Sequence, residues 1–107
     1  MQEPTFLILT ALAAGPQHGY GVIIDVERIS GGQIRLRAGT LYAAFDRLEH
    51  EGLIAEEREE IVEGRARRYY RLTGDGANRL AAEVDRMRRH AHAATVRLRA
   101  LGLGGTA

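Results

Sequence analysis

Residues 39–54 read Gly39-Thr40-Leu41-Tyr42-Ala43-Ala44-Phe45-Asp46-Arg47-Leu48-Glu49-His50-Glu51-Gly52-Leu53-Ile54. Leu41, Phe45 and Leu48 recur at helical spacings, which predicts a helix with one buried face. Gly52 is a typical helix terminator, and the apolar pair after it predicts the start of a strand. This abrupt change from an amphipathic helix to a strand decides the fold, and the flanking segments complete it.

Two further helices are predicted before this stretch. Residues Thr5 to Ala14 are predicted to form a helix that is apolar on nearly every face and ends at Gly15-Pro16. Such a helix is expected to be buried in the core. After a turn at Pro16 to Gly19, an amphipathic second helix runs from Tyr20 to Ser30 and ends at two glycines. Its inward stripe is expected to be Tyr20, Ile23, Val26 and Ile29. The alternating segment Gln33 to Arg37 fits either a short strand or an extended linker.

A β-hairpin is predicted after the third helix. Its first strand runs from Leu53-Ile54 to Val62, the turn is Glu63-Gly64-Arg65, and the second strand is Arg67 to Leu72. Leu53, Ile54, Leu72 and one of the two neighbouring tyrosines are expected to face the body. The register decides which tyrosine points inward, and the sequence leaves that register open.

A long helix is predicted to follow Thr73, whose hydroxyl is a good helix cap. Apolar residues recur along it at alternating spacings of three and four: Ala77, Leu80, Val84, Met87, Ala91, Ala94, Leu98 and Leu101. Such a helix is about 40 Å long, more than a small domain can cover, so the stripe from Leu80 to Leu101 is expected to pair with a second copy of the chain. A competing interpretation is that the stripe only covers the domain's own core.

This order of elements, three helices and then a hairpin, predicts a mainly α fold with a β-hairpin wing, the winged helix-turn-helix. We expect residues 1–73 to form a DNA-binding domain, residues 74–101 a dimerisation helix and residues 102–107 a flexible tail. In such a domain the third helix enters the major groove of DNA, and the hairpin, or wing, follows the backbone.

Composition narrows the function classes. The chain has 107 residues, enough for one ordinary domain, and no cysteine, which excludes disulfides and thiolate metal sites. All 15 basic residues are arginine, and without lysine neither Schiff-base chemistry nor a Walker A phosphate loop is available. The longest apolar run, Phe6 to Ala14, is too short to cross a bilayer and lacks the pattern of an export signal, so a cytoplasmic location is expected.

The net charge of +1 conceals a segregated pattern. Residues 53–63 carry five glutamates and one arginine, whereas residues 65–71 carry four arginines and no acid. Residues 79–99 carry six arginines against Glu83 and Asp85. Local basic surface of this kind is what nucleic acid senses.

Four motifs in order resemble the PadR family of bacterial transcriptional regulators: Gly15-Pro16-x-His18-Gly19-Tyr20, Gly39-Thr40-Leu41-Tyr42, Arg47-Leu48-Glu49-x-Glu51-Gly52-Leu53-Ile54, and Arg68-Tyr69-Tyr70-Arg71-Leu72-Thr73 with Gly76 after it. The resemblance spans residues 5–80, and the single long last helix is similar to the short-tailed subgroup. It implies a dimeric winged-helix repressor that binds a palindromic operator in double-stranded DNA. It also implies a small-molecule effector between the C-terminal helices and the winged domains.

Two positions depart from the family pattern. Members often have Ser-Pro before the Gly-Thr-Leu-Tyr motif and a proline after it, whereas this chain has Arg37-Ala38 before and Ala43 after. Loss of the serine removes a helix cap worth about 1 kcal/mol unless Thr40 or another group replaces it. We expect Arg37 to contact a phosphate instead.

Two groups of residues are candidates for contact with DNA. On the wing, Arg65, Arg67 and Arg68 either neutralise phosphates or pair across the hairpin with the glutamates Glu57, Glu59, Glu60 and Glu63. On the third helix, Thr40, Tyr42, Ala43 and Arg47 are candidates for base edges and backbone, against the alternative of an ordinary solvated face or, for Tyr42, packing beneath the wing. Tyr20 is a candidate phosphate donor or a core tyrosine.

No catalytic residue, metal site or cofactor is predicted. His90 and His92 are two apart and point in different directions on a helix, so they do not form a metal pair. The function expected from the sequence is therefore DNA binding without chemistry. The alternative is a winged-helix module that binds another protein and does not read DNA, favoured by the near-neutral charge and the wing glutamates.

Overall fold

The computed structural model describes residues 1–103. Over this range the chain forms helices around a small antiparallel sheet, in the order α1 (Glu3–Ala13), β1 (Gln17–His18), α2 (Gly19–Ile29), α3 (Ala38–His50), β2 (Ile54–Val62), β3 (Arg65–Leu72) and α4 (Gly74–Ala100). The winged helix-turn-helix architecture predicted from the sequence is confirmed. Within residues 1–103, no helix is long and apolar enough to span a bilayer.

The core lies where the first three helices meet the sheet. Leu41, Phe45 and Leu48 are at most 1% exposed, so the predicted inner face of α3 is confirmed. The apolar α1 is likewise buried along most of its length, as its composition predicted. Ile34 and Leu36 pack against this core from an extended linker, and no strand forms there.

The predicted inner face of α2 was correct at Val26, which is buried, and at Ile23, which packs against the core, but it was wrong at its two ends. Tyr20 is 66% exposed and Ile29 is 45% exposed, whereas Val22 and Val26 are fully buried. The reason is geometric, because residues three apart are rotated by about 300° on an α-helix, so three such steps turn the side chain to the opposite side. The buried face instead follows the mixed spacings of three and four from Gly19 through Val22 to Val26.

The wing is a two-stranded hairpin, β2 with β3. Ile54 pairs with Leu72 at its base and Val62 with Arg65 at its tip, with a bulge at Glu57. Glu63 and Gly64 both have positive φ, of 51° and 77°, as the twist-matched two-residue hairpin turn requires.

The register that the sequence left open directs Tyr70 inward. Tyr70 is 7% exposed and its ring lies 4.5 Å from that of Phe45. Tyr69 packs on the other side of the strand, with its ring against His18. The side chain of Tyr70 therefore fixes the wing to α3.

A third strand, β1, lies where the sequence predicted only a turn. Gln17 pairs with Tyr70 and His18 with Tyr69, so β3 is the central strand of the order β1-β3-β2. A two-residue strand is too short for any periodic signal. Its consequence is that the start of α2 is tied to the wing.

The junction before α4 is held by one hydroxyl and one glycine. Thr73 Oγ1 accepts a hydrogen bond from the Gly76 amide at 3.0 Å, which confirms the predicted cap, and donates to the Gly52 carbonyl at 2.7 Å. Gly76 is buried against the carbonyl of Leu53, and a Cβ there would also lie 2.8 Å from Leu72 Cδ1. The glycine therefore sets how closely α4 approaches the base of the wing.

Beyond this junction α4 extends away from the body, and the described chain measures 59 Å in its longest dimension. Leu80 and Val84 are half-buried, whereas Met87, Leu98 and Leu101 are between 43% and 72% exposed. Gly102, at a φ of 76°, ends the helix, and the Leu103 amide donates to the Leu98 carbonyl at 2.9 Å. The rest of the predicted tail, residues 104–107, lies outside the described residues.

We expect Gly76→Ala to lower the free energy of unfolding by about 2 kcal/mol or more, because the new methyl group is forced into the Leu53 carbonyl. The matched control is Gly74→Ala in the same turn, where a Cβ meets nothing within 4 Å. Urea unfolding at one fixed protein concentration measures both. Equal stability of the two variants would contradict the close approach described at Gly76.

Candidate nucleic-acid interface

A cleft of about 770 Å³ separates the wing from the first turns of α2 and α3. Of the residues that the sequence singled out for DNA contact, five line it: Tyr20, Tyr42, Arg65, Arg67 and Arg68. The structure thus brings together side chains that are up to 48 positions apart in the sequence. Two tyrosines form one side of the cleft, and the wing forms the other, where the three arginines lie beside Glu59 and Glu63.

Tyr42 is held at the cleft by its neighbours on two helices. Its ring meets the Phe45 ring edge-on at 6.1 Å, and its hydroxyl lies over Gly19, where a Cβ would be only 2.5 Å away. Because Gly19 has no side chain, the tyrosine can lie across the start of α2. Tyr42 remains 52% exposed, so much of the ring is open to a ligand.

The three wing arginines divide into two classes. Arg68 lies 3.5 Å from Glu59 and 3.8 Å from Glu56, so it pairs across the hairpin. Within the described residues, no carboxylate oxygen comes within 4.0 Å of the guanidinium of Arg65 or Arg67. Of the two interpretations that the sequence allowed, cross-strand pairing therefore describes Arg68, and the other two guanidinium groups stay available for an anion.

The glutamates of β2 are partly neutralised by their neighbours. Arg58 Nε donates to Glu60 at 2.8 Å, and its guanidinium lies 4.1 Å from the centre of the Tyr69 ring. The hydrogen bond from Arg58 is the main reason that the pKa of the Glu60 carboxyl falls below its ordinary value. These pairs weaken the repulsion that an acidic wing would exert on a phosphate.

Three other predicted residues lie at or near the exposed start of α3, outside the lining of the cleft. Arg37 is the residue that precedes the helix, and its side chain makes no capping hydrogen bond. Thr40 and Ala43 are exposed on the helix surface. No side chain replaces the missing serine cap, which leaves the first amide groups of α3 without a side-chain partner.

Arg47 is not brought into the cleft. Its Nη2 donates to Thr5 Oγ1 at 2.9 Å, and its Nη1 lies 3.9 Å from a carboxylate oxygen of Glu51. Both contacts tie α3 to α1 or to its own last turn. The structure therefore separates Arg47 from the other residues predicted to contact DNA.

Sequence reasoning missed His18, which also lines the cleft. Its Nδ1 accepts a hydrogen bond from the Gly21 amide at 3.1 Å and so caps α2. Burial, with a contribution from Arg67, lowers the pKa of His18 below its ordinary value of 6.5. Histidine is not a typical capping residue, so only its position directly before a Gly-Tyr helix start could have indicated this role.

The predicted dimerisation stripe forms a second candidate surface. Phe6, Val84, Met87, Arg88 and Ala91 line a shallow apolar groove of about 240 Å³ between α1 and α4. The sequence analysis named the α4 residues and missed Phe6, because only the packing of α1 against α4 brings it there. Further along the helix, Ala94, Leu98 and Leu101 are exposed. Among residues 1–103, no group of three histidine, aspartate or glutamate side chains is placed to hold a metal ion.

One family model and one named curated relative match most of this chain. The sequence model of the family described as "Transcriptional regulator PadR-like family" matches residues 8–82. The transcriptional regulator Rv3488 of Mycobacterium tuberculosis is 43% identical over 79 residues, covering 74% of this chain and 68% of that protein. Overall, the chain spans between 24% and 68% of the length of the curated relatives it matches.

Solved structures share the fold. A PadR family transcription regulator from Clostridium difficile R20291 superimposes with a TM-score of 0.72 at 26% identity, covering 86% of this chain and 94% of that one. Bacillus subtilis PadR in complex with operator DNA superimposes with a TM-score of 0.69 at 24% identity, covering 78% of this chain and 48% of that one.

The lowered pKa of His18, caused mainly by burial, predicts a pH-dependent stability. The pKa of His18 is lowered in the folded chain, so the unfolded chain binds more protons as the pH falls below about 6.5. This contribution is therefore complete above pH 6.5 and is lost as the pH falls through the lower pKa of the folded chain. Urea unfolding between pH 7.5 and 5 measures it.

We expect His18→Asn, which keeps a capping oxygen but does not titrate, to flatten that decline. His50→Asn, on the exposed end of α3, is the matched control and should reproduce the profile of the unmodified chain. A decline that is equally steep with and without His18 would contradict the role.

Proposed function

Because this chain belongs to the PadR-like family of transcriptional regulators, we propose that it is a dimeric, sequence-specific DNA-binding repressor. The observation that carries the proposal is the cleft. In it, two exposed tyrosines, Tyr20 and Tyr42, lie opposite Arg65 and Arg67, which have no carboxylate partner among the described residues. Surface guanidinium groups left unpaired beside a recognition helix are suited to neutralise backbone phosphates.

We propose the following placement of the domain on DNA. The start of α3 enters the major groove, the wing follows the neighbouring backbone, and the strand of phosphates between them crosses the cleft. Bacillus subtilis PadR, which shares this fold, has been solved in complex with operator DNA, which supports DNA as the ligand. A two-fold dimer would then read a palindrome with half-sites about one helical turn apart.

We propose a role for each candidate residue from its contacts and its position. We assign phosphate contacts to Arg65, Arg67, Tyr20 and Arg37, and base or groove-edge contacts to Thr40, Tyr42 and Ala43, which lie on the exposed early face of α3. Arg68 and Arg47 are assigned to the fold, because their guanidinium groups are already bound by neighbouring side chains.

The alternative of a protein-binding module without DNA readout is less well supported. It rested on five wing glutamates that would repel phosphate. Glu56 and Glu59 lie within 4.0 Å of Arg68, and Glu60 is bonded to Arg58. Residues 54–72 carry five glutamates and five arginines, and three of those glutamates lie beside Arg58 or Arg68. The acidic charge of the wing is therefore partly neutralised, while Arg65 and Arg67 have no carboxylate within 4.0 Å among the described residues.

The exposed stripe of α4 supports pairing with a second copy. The first part of α4, residues 74–85, has three acids and one arginine, whereas residues 86–100 have five arginines and no acid. An antiparallel pair places the basic part of one helix beside the acidic part of the other, so we propose that direction. The groove at Phe6 continues the stripe, and we assign it to the partner chain.

The family resemblance implies an effector, and we propose that it acts at the same dimer seam. The groove there is below the roughly 300–1,000 Å³ that encloses a drug-sized ligand, so the effector site would be completed only by the second chain. Because a bacterial repressor binds the chromosome, we propose a cytoplasmic location.

Selection of binding sites from random duplex DNA at near-physiological salt tests the proposal. We expect an enriched palindrome, bound far more tightly than scrambled DNA. The absence of enrichment, in a protein that folds and dimerises, would favour the protein-binding module.

Among the wing arginines, Arg67→Ala tests the phosphate contact. We expect weaker binding to every duplex and a reduction of about one unit in the slope of log K against log salt, because one counterion fewer is released. Arg28→Ala, in the last turn of α2 away from the cleft and paired with Asp25, is the control and should leave both quantities unchanged. The role of Arg67 is withdrawn if its slope matches that of the control.

On α4, Leu98→Asp tests the dimer, since it places a carboxylate in the apolar seam. We expect monomers by light scattering. Val96→Asp is the matched control, because Val96 is also exposed, at 49%, but lies on the opposite side of the helix. A dimer that survives Leu98→Asp, or that is lost equally with Val96→Asp, would contradict the seam.

A further inference from the structure

His18 lies in the cleft through which the DNA backbone would pass, beside the tyrosines and Arg67. The inference drawn from it rests on the proposed function. The capping hydrogen bond uses only Nδ1 of the ring, so Nε2 can bind a ligand in the cleft.

The capping contact fixes the tautomer of the ring. Nδ1 accepts a hydrogen bond from the amide of Gly21 at 3.1 Å, so it cannot itself carry a hydrogen. A neutral imidazole with an unprotonated Nδ1 holds its hydrogen on Nε2. The same contact disfavours protonation of Nδ1, because an imidazolium ring cannot accept a hydrogen bond from the Gly21 amide.

Packing also fixes the orientation of the ring. The backbone of His18 pairs with Tyr69 on β3, and the two rings meet edge-on at 5.4 Å with an angle of 83°. Arg58 lies on the Tyr69 ring at 4.1 Å. Within residues 1–103, Gly21 is the only hydrogen-bond partner of the imidazole. The Nε2–H group therefore has a fixed orientation and no acceptor within this range.

We propose that His18 donates its Nε2–H to a phosphate oxygen of the DNA strand that crosses the cleft, and that it does so as a neutral group. Arg65 and Arg67 attract the same strand by charge and release counterions when they bind it. A neutral donor releases none. His18 therefore adds affinity that does not depend on salt, and it locates the phosphate relative to α2 and the wing.

The test is the affinity of His18→Asn for a random-sequence 24-base-pair duplex, measured by fluorescence anisotropy at pH 7.5 over a range of salt concentrations. Asparagine keeps a capping oxygen, so α2 and the stability at this pH should be retained. We expect Kd to rise about tenfold, as for loss of a hydrogen bond to a charged group, with an unchanged salt slope. His50→Asn, outside the cleft, should change neither quantity.

Three results would overturn the proposal. An unchanged Kd in a folded His18→Asn would show that the ring makes no contact with DNA. A salt slope lowered by about one unit would show that the ring binds as a cation. If the unmodified chain binds no duplex, both the proposed function and the His18 contact fail. This result differs from the first two, in which the unmodified chain still binds DNA.

A second measurement does not depend on any variant. The imidazole ¹⁵N resonances of the unmodified protein identify which ring nitrogen carries hydrogen. We expect a neutral ring with hydrogen on Nε2 both free and bound to the duplex, with the Nε2 signal shifted by the new acceptor. An Nδ1–H tautomer or an imidazolium in the complex would contradict the proposal.

Discussion

The packing of Tyr70 on Phe45 is the contact on which the rest of the structure depends. Phe45 is on the buried face of α3 and Tyr70 is in the central strand of the sheet, and their ring centres are 4.5 Å apart. Both side chains are almost fully buried, so removing either leaves a cavity that costs several kcal/mol. This pair fixes the angle between helix and wing, and hence the width of the cleft. Thr73 and Gly76 then close the base of the wing and start α4 in a defined direction.

The same geometry explains how a nearly neutral chain can present a basic surface. Most acidic residues of the wing lie on β2 and most arginines on β3, and the β-bulge and register decide which of them meet. Arg58 and Arg68 are bound to glutamates, while Arg65 and Arg67 are left facing the cleft. Charge is also segregated along α4, where the acidic residues lie near the start and most of the arginines lie near the end. Local pairing, and not net charge, sets what each surface can bind.

The sequence predicted those features that short-range periodicity or a single residue determines. Examples of such features are the inner face of α3, the end of α3 just before Gly52, and the cap at Thr73. The ends of the inner face of α2, at Tyr20 and Ile29, were predicted wrongly because residues spaced by three progressively rotate around the helix. The strand β1 was missed because two residues are too few to show a periodic pattern. The site was predicted in part. Tyr20, Tyr42 and the wing arginines meet in one cleft, but the separation of Arg68 from its neighbours, the use of Arg47 within the fold and the position of His18 all follow from tertiary contacts.

The central claim is that the cleft between α3 and the wing is the surface that meets the DNA backbone. Backbone amide shifts of ¹⁵N-labelled protein on addition of a duplex test it most directly, since every position reports at once. We predict that the largest shifts cluster at His18, Tyr20, Tyr42, Arg65 and Arg67, and that residues at the far end of α3, such as Glu51, change little. Shifts concentrated at Thr5, Arg47 and Glu51, with the cleft unaffected, would contradict the account.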